Sequence, residues 1–261
     1  LIARVRTTKS GTVPSFNYRF TLKWAAAVLF VCLAIYGVLR SRHEDKTDLI
    51  TQASPEQFIL PDGSNVWLNK KSKLSFNNEN FVSNRTVEFS GEAFFDIAYD
   101  PAHPFNIETD NAVTQVLGTS FNLRSYGGED SIEIIVVEGK VSFQADNAGK
   151  VIVSQHRKVV YSLSNQDAVE SDAGDLNAIA WKTKKLTFAD SPLSKVLTDL
   201  KRYKGVQILV ENKSLLDCHF SGSFENQTLE EILATLTFSL DINYKKTDQV
   251  YSLTGDGCDS K

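Results

Sequence analysis

Between Val87 and Asp100 the chain reads VEFSGEAFFDIAYD, and its character changes at every second residue. Val87, Phe89, Gly91, Ala93, Phe95, Ile97 and Tyr99 fall on one face. Glu88, Ser90, Glu92, Phe94, Asp96, Ala98 and Asp100 fall on the other. Only a β-strand has a side-chain period of two, so this stretch predicts a strand with its apolar face in a core and its acidic face in water. The acids raise the question of a catalytic or metal site. At strand rise Glu88 and Glu92 stand about 13 Å apart, too far to share a metal or a water. Pro101 and Pro104 end the strand and leave His103 in a turn. Glu88, Glu92, Asp96, Asp100 and His103 are therefore read as the wet side of a strand, not as convergent groups of an active site.

The same period recurs around it. Strands are predicted at Asn65–Leu68, Lys73–Phe76, Phe105–Thr109, Val113–Leu117, Phe121–Arg124, Ile132–Val137, Lys140–Phe143, Val151–Val153 and Lys158–Leu163. That spacing predicts an all-β domain, sandwich or barrel-like. PDGS at Pro61–Ser64 and YGGED at Tyr126–Asp130 are turns, and VVEGKVSF places Glu138-Gly139 as a tight hairpin. The region contains no phosphate loop, nucleophile elbow or His/Cys ligand set, so no cofactor and no metal are expected.

Residues 185–254 repeat at an offset of 36. Phe188 meets Phe224, Leu193 meets Leu229, Val196 meets Ile232, Leu197 meets Leu233, Leu200 meets Leu236 and Val206 meets Ile242. Each copy reads strand, helix, strand. In the first, Ser191 is placed as the helix cap, Pro192 follows it, and Gly205 stops the helix. In the second, Thr228 and Glu231 form a capping box. Two such units predict a small α+β domain whose helices pack on one shared sheet, with edges open to a partner's strand. The polar stretch Ala168–Asn177 reads as the linker between the two domains. Trp67 and Trp181 read as core or domain-interface residues.

Trp24–Leu39 holds sixteen residues without a charge, and adding Phe20–Lys23 brings the run to the length of a membrane-spanning helix. Seven of the 28 Lys and Arg residues and none of the 32 Asp and Glu residues lie in 1–43, which leaves 44–261 with a net charge of −11. The basic end predicts a cytoplasmic N-terminus and a body beyond the membrane. It also argues against nucleic-acid binding by that body. The organisation expected is a cytoplasmic tail at 1–19, a single transmembrane helix at 20–40, a periplasmic β-rich domain at 41–170, a linker at 171–184, the α+β domain at 185–255 and a tail at 256–261. Cys32, Cys218 and Cys258 fit no zinc spacing, and a Cys218–Cys258 disulfide is left open.

The order of parts resembles the FecR family of transmembrane anti-sigma regulators, of the Bacteroidetes type. The matching stretches are LPDGSNVWLNKKSKLSF (60–76), VEFSGEAFFDIAYDPAHPFNIET (87–109), VLGTSFNLRSY (116–126), VVEGKVSF (136–143), Trp181 with KLTFADSPLSKVLTDL (185–200), and FSGSFENQTLEEIL (220–233). The resemblance implies an inner-membrane protein whose C-terminal domain is similar to the short N-terminal domain of secretins and TonB-dependent transducers. Its implied partners are the signalling domain of a TonB-dependent outer-membrane transporter and an extracytoplasmic-function sigma factor. Sigma-binding helices should precede the anchor, so the chain is expected either to be truncated at its start or to lack that module. Some relatives are cut at a Gly-Thr bond, which makes Gly118 and Thr119 a candidate self-cleavage site. The plain alternative is a bulge with Gly118 at positive φ and Thr119 opening a strand. Rival readings are a membrane-anchored carbohydrate-binding protein and a secretin- or pilus-assembly component.

Overall fold

The computed structural model describes residues 46–146, 149–248 and 250–258, together with six helical, exposed residues at 29, 31–33 and 35–36. The rest of the expected span at 20–40, and the tail at 1–19, lie outside the described residues. Among the described residues no helix is long and apolar enough to cross a membrane.

The β domain contains β1 (Lys46–Ile50), β2 (Glu56–Ile59), β3 (Asn65–Leu68), β4 (Lys73–Asn77), β5 (Thr86–Asp96), β6 (Phe105–Thr109), β7 (Ala112–Val116), β8 (Ser120–Ser125), β9 (Ser131–Glu138), β10 (Lys140–Ala145), β11 (Val151–Ser154), β12 (Arg157–Ser162) and β13 (Asp167–Asp172); β3 to β12 are the strands expected of the alternating segments, and β1, β2 and β13 are additional. A short helix, α1 (Phe81–Asn84), precedes β5. The long β5 is the spine. Its first half pairs with β4 and, in parallel, with β6; its second half pairs with β3 and β8. One half-sheet thus runs β1-β4-β5-β6-β7-β10-β11 and the other β2-β3-β5-β8-β9-β12-β13, giving a nearly closed, barrel-like sheet. The changeover falls at Gly91, where φ is +124° and a Cβ would lie 2.4 Å from Ser72 Oγ, so only glycine fits. Phe95, Phe105, Phe121, Leu123, Ile134 and Phe143 fill the space between the halves. Phe95 and Phe121 stack at 5.3 Å.

A buried ion pair closes one end. Arg85, 1% exposed, donates to Asp62 Oδ2 at 2.8 Å and to the carbonyls of His103 (3.0 Å) and Ala98 (2.7 Å). It thereby ties the Pro61–Ser64 turn to the chain after β5.

Four expectations for this region are corrected. Glu138-Gly139 is not a hairpin: β9 pairs with β8 and β12, whereas β10 pairs with β7 and β11. Gly139, at φ +86°, turns the chain from one half-sheet to the other, and a positive φ serves a corner as well as a hairpin. On β5, Glu92 and Phe94 are 1% and 5% exposed rather than wet, because a second lobe covers that stretch of the outer face. Tyr99, placed inward by period, lies past the strand's end and is exposed. Part of the expected linker is also ordered, since residues 168–172 belong to β13 and pair with β12.

The second lobe follows through α2 (Ala180–Thr183). It contains β14 (Lys185–Pro192), α3 (Leu193–Lys204), β15 (Gln207–Val210), β16 (His219–Glu225), α4 (Leu229–Leu240), β17 (Asn243–Thr247) and β18 (Val250–Thr254). The helical stripes are buried as the repeat predicts: Leu193, Val196, Leu197 and Leu200 on α3, and Leu229, Ile232, Leu233 and Leu236 on α4. The capping box is formed, with Thr228 N donating to Glu231 Oε2 at 2.7 Å and Glu231 N to Thr228 Oγ1 at 3.3 Å. Gly205 ends α3 with φ +67°. Pro192, not Ser191, occupies the cap of α3, because β14 continues through Ser191. The single shared sheet is replaced by two. The first strands of the copies, β14 and β16, pair with each other. β15 and β17 both flank β18, which has no strand counterpart in the first copy. Cys218 and Cys258 form a disulfide with Cα atoms 5.4 Å apart. Lys46–Lys261 constitute one compact unit, so the two lobes are packed together.

Candidate functional site

The lobes meet on the outer face of β5. Phe94, Ile179 and Trp181 make a small apolar cluster of their own, with Trp67, Val137, Leu176 and Tyr203 packed against it. Trp67 and Phe94 meet edge to face at 5.9 Å. Lys182 Nζ lies 4.2 Å from the Trp67 ring centre and 4.0 Å from that of Phe94, and burial lowers its pKa. Both tryptophans are thus at the lobe junction, as their sequence context implied. Asn177 fastens the connecting segment: its Nδ2 donates to Thr187 O and Asp199 Oδ2, both at 2.9 Å, and its Oδ1 accepts from Thr187 N at 2.8 Å.

Glu92 is the hub of the polar half of this junction. Oε1 accepts from Arg202 Nη2 at 2.7 Å and from Asn122 Nδ2 at 3.1 Å. Oε2 accepts from Asn69 Nδ2 at 2.8 Å and from Arg124 Nη1 at 3.2 Å. Arg202, on α3, also donates from Nη1 to Glu133 Oε1 at 2.7 Å. Burial alone would lower the Arg202 pKa, but the charges of Glu92 and Glu133 outweigh it and the net shift is upward. Arg124 is in turn held by Glu129, with Nε to Oε2 at 3.0 Å, and its guanidinium lies over Tyr126 at 4.7 Å. A carboxylate with four donors from three segments, the turn after β3, β8 and α3, has its charge compensated and its geometry fixed. It is a fastener, not a free acid or base.

The other acids of the β5 region do not converge on it. Glu88 pairs with Lys46 at 2.7 Å and is more than half exposed. Asp96 accepts from Ser120 Oγ at 2.6 Å. Asp100 caps the following turn, accepting from Ala102 N and pairing with His103 Nδ1, each at 2.9 Å. The reading of Glu88 and Asp96 as exposed strand acids stands; that of Glu92 does not. One local signal marked the exception. Phe94 sits on the supposedly wet face next to it, and a large apolar residue there indicates a covered surface. Among the described residues, no three His, Cys, Asp or Glu side chains are grouped to hold a metal ion.

Gly118 and Thr119 lie elsewhere, beside an apolar cleft of about 310 Å³ lined by Leu117, Val141 and Ile152. Gly118 does not take a positive φ. Its lack of a side chain is required instead by Tyr99, whose Cα would be 2.7 Å from a Cβ. Thr119 is 4% exposed, and its hydroxyl donates to Lys140 O at 2.9 Å. The bulge of the plain alternative is present one step later, in the β8–β9 pairing between Ser120 and Phe121.

The architecture is thus a nearly closed, barrel-like β domain fastened to a small α+β lobe through Glu92 and the Trp67–Phe94–Trp181 cluster. The comparisons with known proteins give the family. The profile of FecR protein matches residues 47–142, and that of FecR, C-terminal, matches 185–252. The chain belongs to the FecR family. It is similar to a crystal structure, at 1.65 Å, of a candidate anti-sigma factor from Parabacteroides distasonis, with 28% identity and a TM-score of 0.61 over 81% of this chain and 100% of that one. A second crystal structure of a candidate anti-sigma factor from the same organism, at 2.50 Å, matches at 27% identity, a TM-score of 0.61 and the same coverage. No curated protein matches the sequence.

Proposed function

We propose that this chain is an anti-sigma regulator that carries a signal from outside the cytoplasm to a sigma factor. Membership of the FecR family and the similarity to candidate anti-sigma factors support the regulatory reading. In the finer form of the proposal, the apolar run at 20–40 anchors the chain in the inner membrane, with the N-terminus in the cytoplasm and both lobes in the periplasm. The Cys218–Cys258 disulfide favours such an oxidising compartment. The signalling domain of a TonB-dependent transporter is the proposed input, received at an open edge of the C-terminal lobe. Strands β15 and β17 are the outer strands of their sheet and could accept a partner's strand. An extracytoplasmic-function sigma factor is the proposed output.

The observation that carries this reading is the junction at Glu92. It joins the two lobes through charged hydrogen bonds, so a partner that shifts the C-terminal lobe must shift the β domain or break the junction. A sigma-dependent reporter tests the reading. Deleting the gene should make the reporter unresponsive to the transporter's substrate, and re-expression should restore the response. A reporter that responds normally without the gene would refute it.

A further inference from the structure

The body of this protein is acidic, with a net charge of −11 over residues 44–261, yet one trough on it is basic. A cleft of about 700 Å³ runs between the turn after β3, the loop after β8 and the last turn of α3. Its charged lining is Lys70, Lys71, Arg124, Lys201 and Arg202 against Glu92 and Glu129. The two arginines are already engaged by Glu92, Glu129 and Glu133. The three lysines are exposed, and among the described residues none of them makes an ion pair.

The turn that displays Lys70 and Lys71 is rigidly built. Thr51 N donates to Ser72 O at 3.0 Å, Ser72 N to Thr51 Oγ1 at 3.1 Å, and Lys71 N to Gln52 O at 3.2 Å. Tyr126 OH donates to Lys70 O at 2.9 Å, and Thr51 and Ser72 are each 1% exposed. Within this frame Lys71 holds φ +56°, a region where Asn or Gly would be the relaxed choice. Backbone strain maintained by buried polar groups, at a residue with no internal partner for its charge, points to a use for that charge outside the chain.

We infer that this trough is the docking site for an acidic segment of a partner protein, an extended peptide rich in Asp and Glu. The cations lie on separate elements of both lobes and are exposed, which suits a chain of carboxylates rather than one small anion held by convergent buried donors. Gly127 and Gly128 leave the trough open, since a Cβ at either would meet nothing within 4 Å. The rest of the acidic body repels such a segment, so recognition is confined to the trough. A carboxylate that enters it competes with Glu92 for Arg124 and Arg202, and so reaches the fastening between the lobes. This inference rests on charge and geometry and is independent of the signalling reading.

Fluorescence anisotropy of a labelled deca-glutamate peptide with the full chain tests it. The expected result is saturable binding that weakens steeply with salt, and that falls by about 10-fold or more in the Lys70→Glu/Lys71→Glu/Lys201→Glu variant. Reversing the exposed Lys213 and Lys245 instead should leave the affinity within about two-fold, as distant charges are screened. Unchanged binding by the triple variant would place the peptide on the basic residues of 1–43 and overturn the inference. Displacement by inorganic pyrophosphate at peptide-like concentrations would overturn it in favour of a small-anion site. Thermal unfolding checks that the triple variant is folded; if it is not, Lys71→Asn and Lys201→Glu singly carry the same test, each expected to weaken binding by about three-fold.

Discussion

Arg202 and Glu92 stand 110 residues apart in sequence and 2.7 Å apart in space, and their contact joins the helix of one lobe to the central strand of the other. Removing the carboxylate would leave two guanidinium groups facing each other at the junction. Glu92→Ala is expected to lower stability by about 3–5 kcal/mol, and Arg202→Ala by less because Arg202 is partly exposed. Urea unfolding gives the values, and limited proteolysis near residues 173–184 should accelerate in both variants. Glu88→Ala, on the same strand, should change stability by under about 0.5 kcal/mol. Equal effects at Glu88 and Glu92 would refute the junction's role.

Asp62 and Arg85 form a second buried pair, with side chains 5% and 2% exposed. Asp62→Ala leaves the arginine charge buried without its partner and should cost about 3–5 kcal/mol. The double variant Asp62→Ala/Arg85→Met should recover part of that loss, measurable as a positive coupling in a double-mutant cycle.

Acid should weaken the C-terminal lobe through Glu230. Hydrogen bonds from Tyr251 (2.6 Å) and Lys246 (2.9 Å) hold the Glu230 carboxyl down at about 2, from an ordinary 4.5. A depressed folded-state pKa contributes stability above the unfolded value and loses it as pH falls through the folded one. The contribution should therefore be complete above pH 4.5 and fade toward pH 2. Glu230→Gln should flatten that part of the stability profile while leaving its shape near neutrality unchanged.

The Cys218–Cys258 disulfide closes a loop across 40 positions. By loop-closure entropy its reduction should cost about 4 kcal/mol at most. Chemical unfolding with and without a reductant should show this loss, and a Cys218→Ser/Cys258→Ser variant should show it without one. Indifference to reductant would mean that the bond does not form.

Thr119 is expected to leave the chain intact. A threonine that attacks its own preceding carbonyl must give up the hydroxyl proton, and here that proton is directed at Lys140 O. A carbonyl oxygen is too weak a base to remove it. Freshly purified protein should run as one band of intact mass on a denaturing gel. Two fragments that merge in Thr119→Ala would revive self-cleavage at Gly118.

What the sequence revealed was decided by range. The inward face of β5, the α3 and α4 stripes and the Thr228–Glu231 box each depend on residues within a turn or a strand of one another, and all are present. Pairing between distant segments was not readable. Gly139 carried the signature of a hairpin but serves a corner, because which strand lies beside β9 is settled by β8 and β12. The partner that buries Glu92, Arg202, is likewise distant in sequence; locally only Phe94 hinted that this face is covered. The single shared sheet failed for the same reason, since β15 and β17 pair with β18, and β14 with β16, across distances no local pattern spans.

That placement of β18 bears on the order of assembly. It is the last strand of its lobe to be synthesised, yet it lies in the middle of its sheet, between β15 and β17. Until Val250–Thr254 has emerged from the ribosome, the two outer strands have no neighbour to pair with. A chain terminated just before Val250 would lose the centre of this sheet rather than its rim. The lobe that carries Arg202 is therefore completed only once β18 has emerged, after the β domain that receives it.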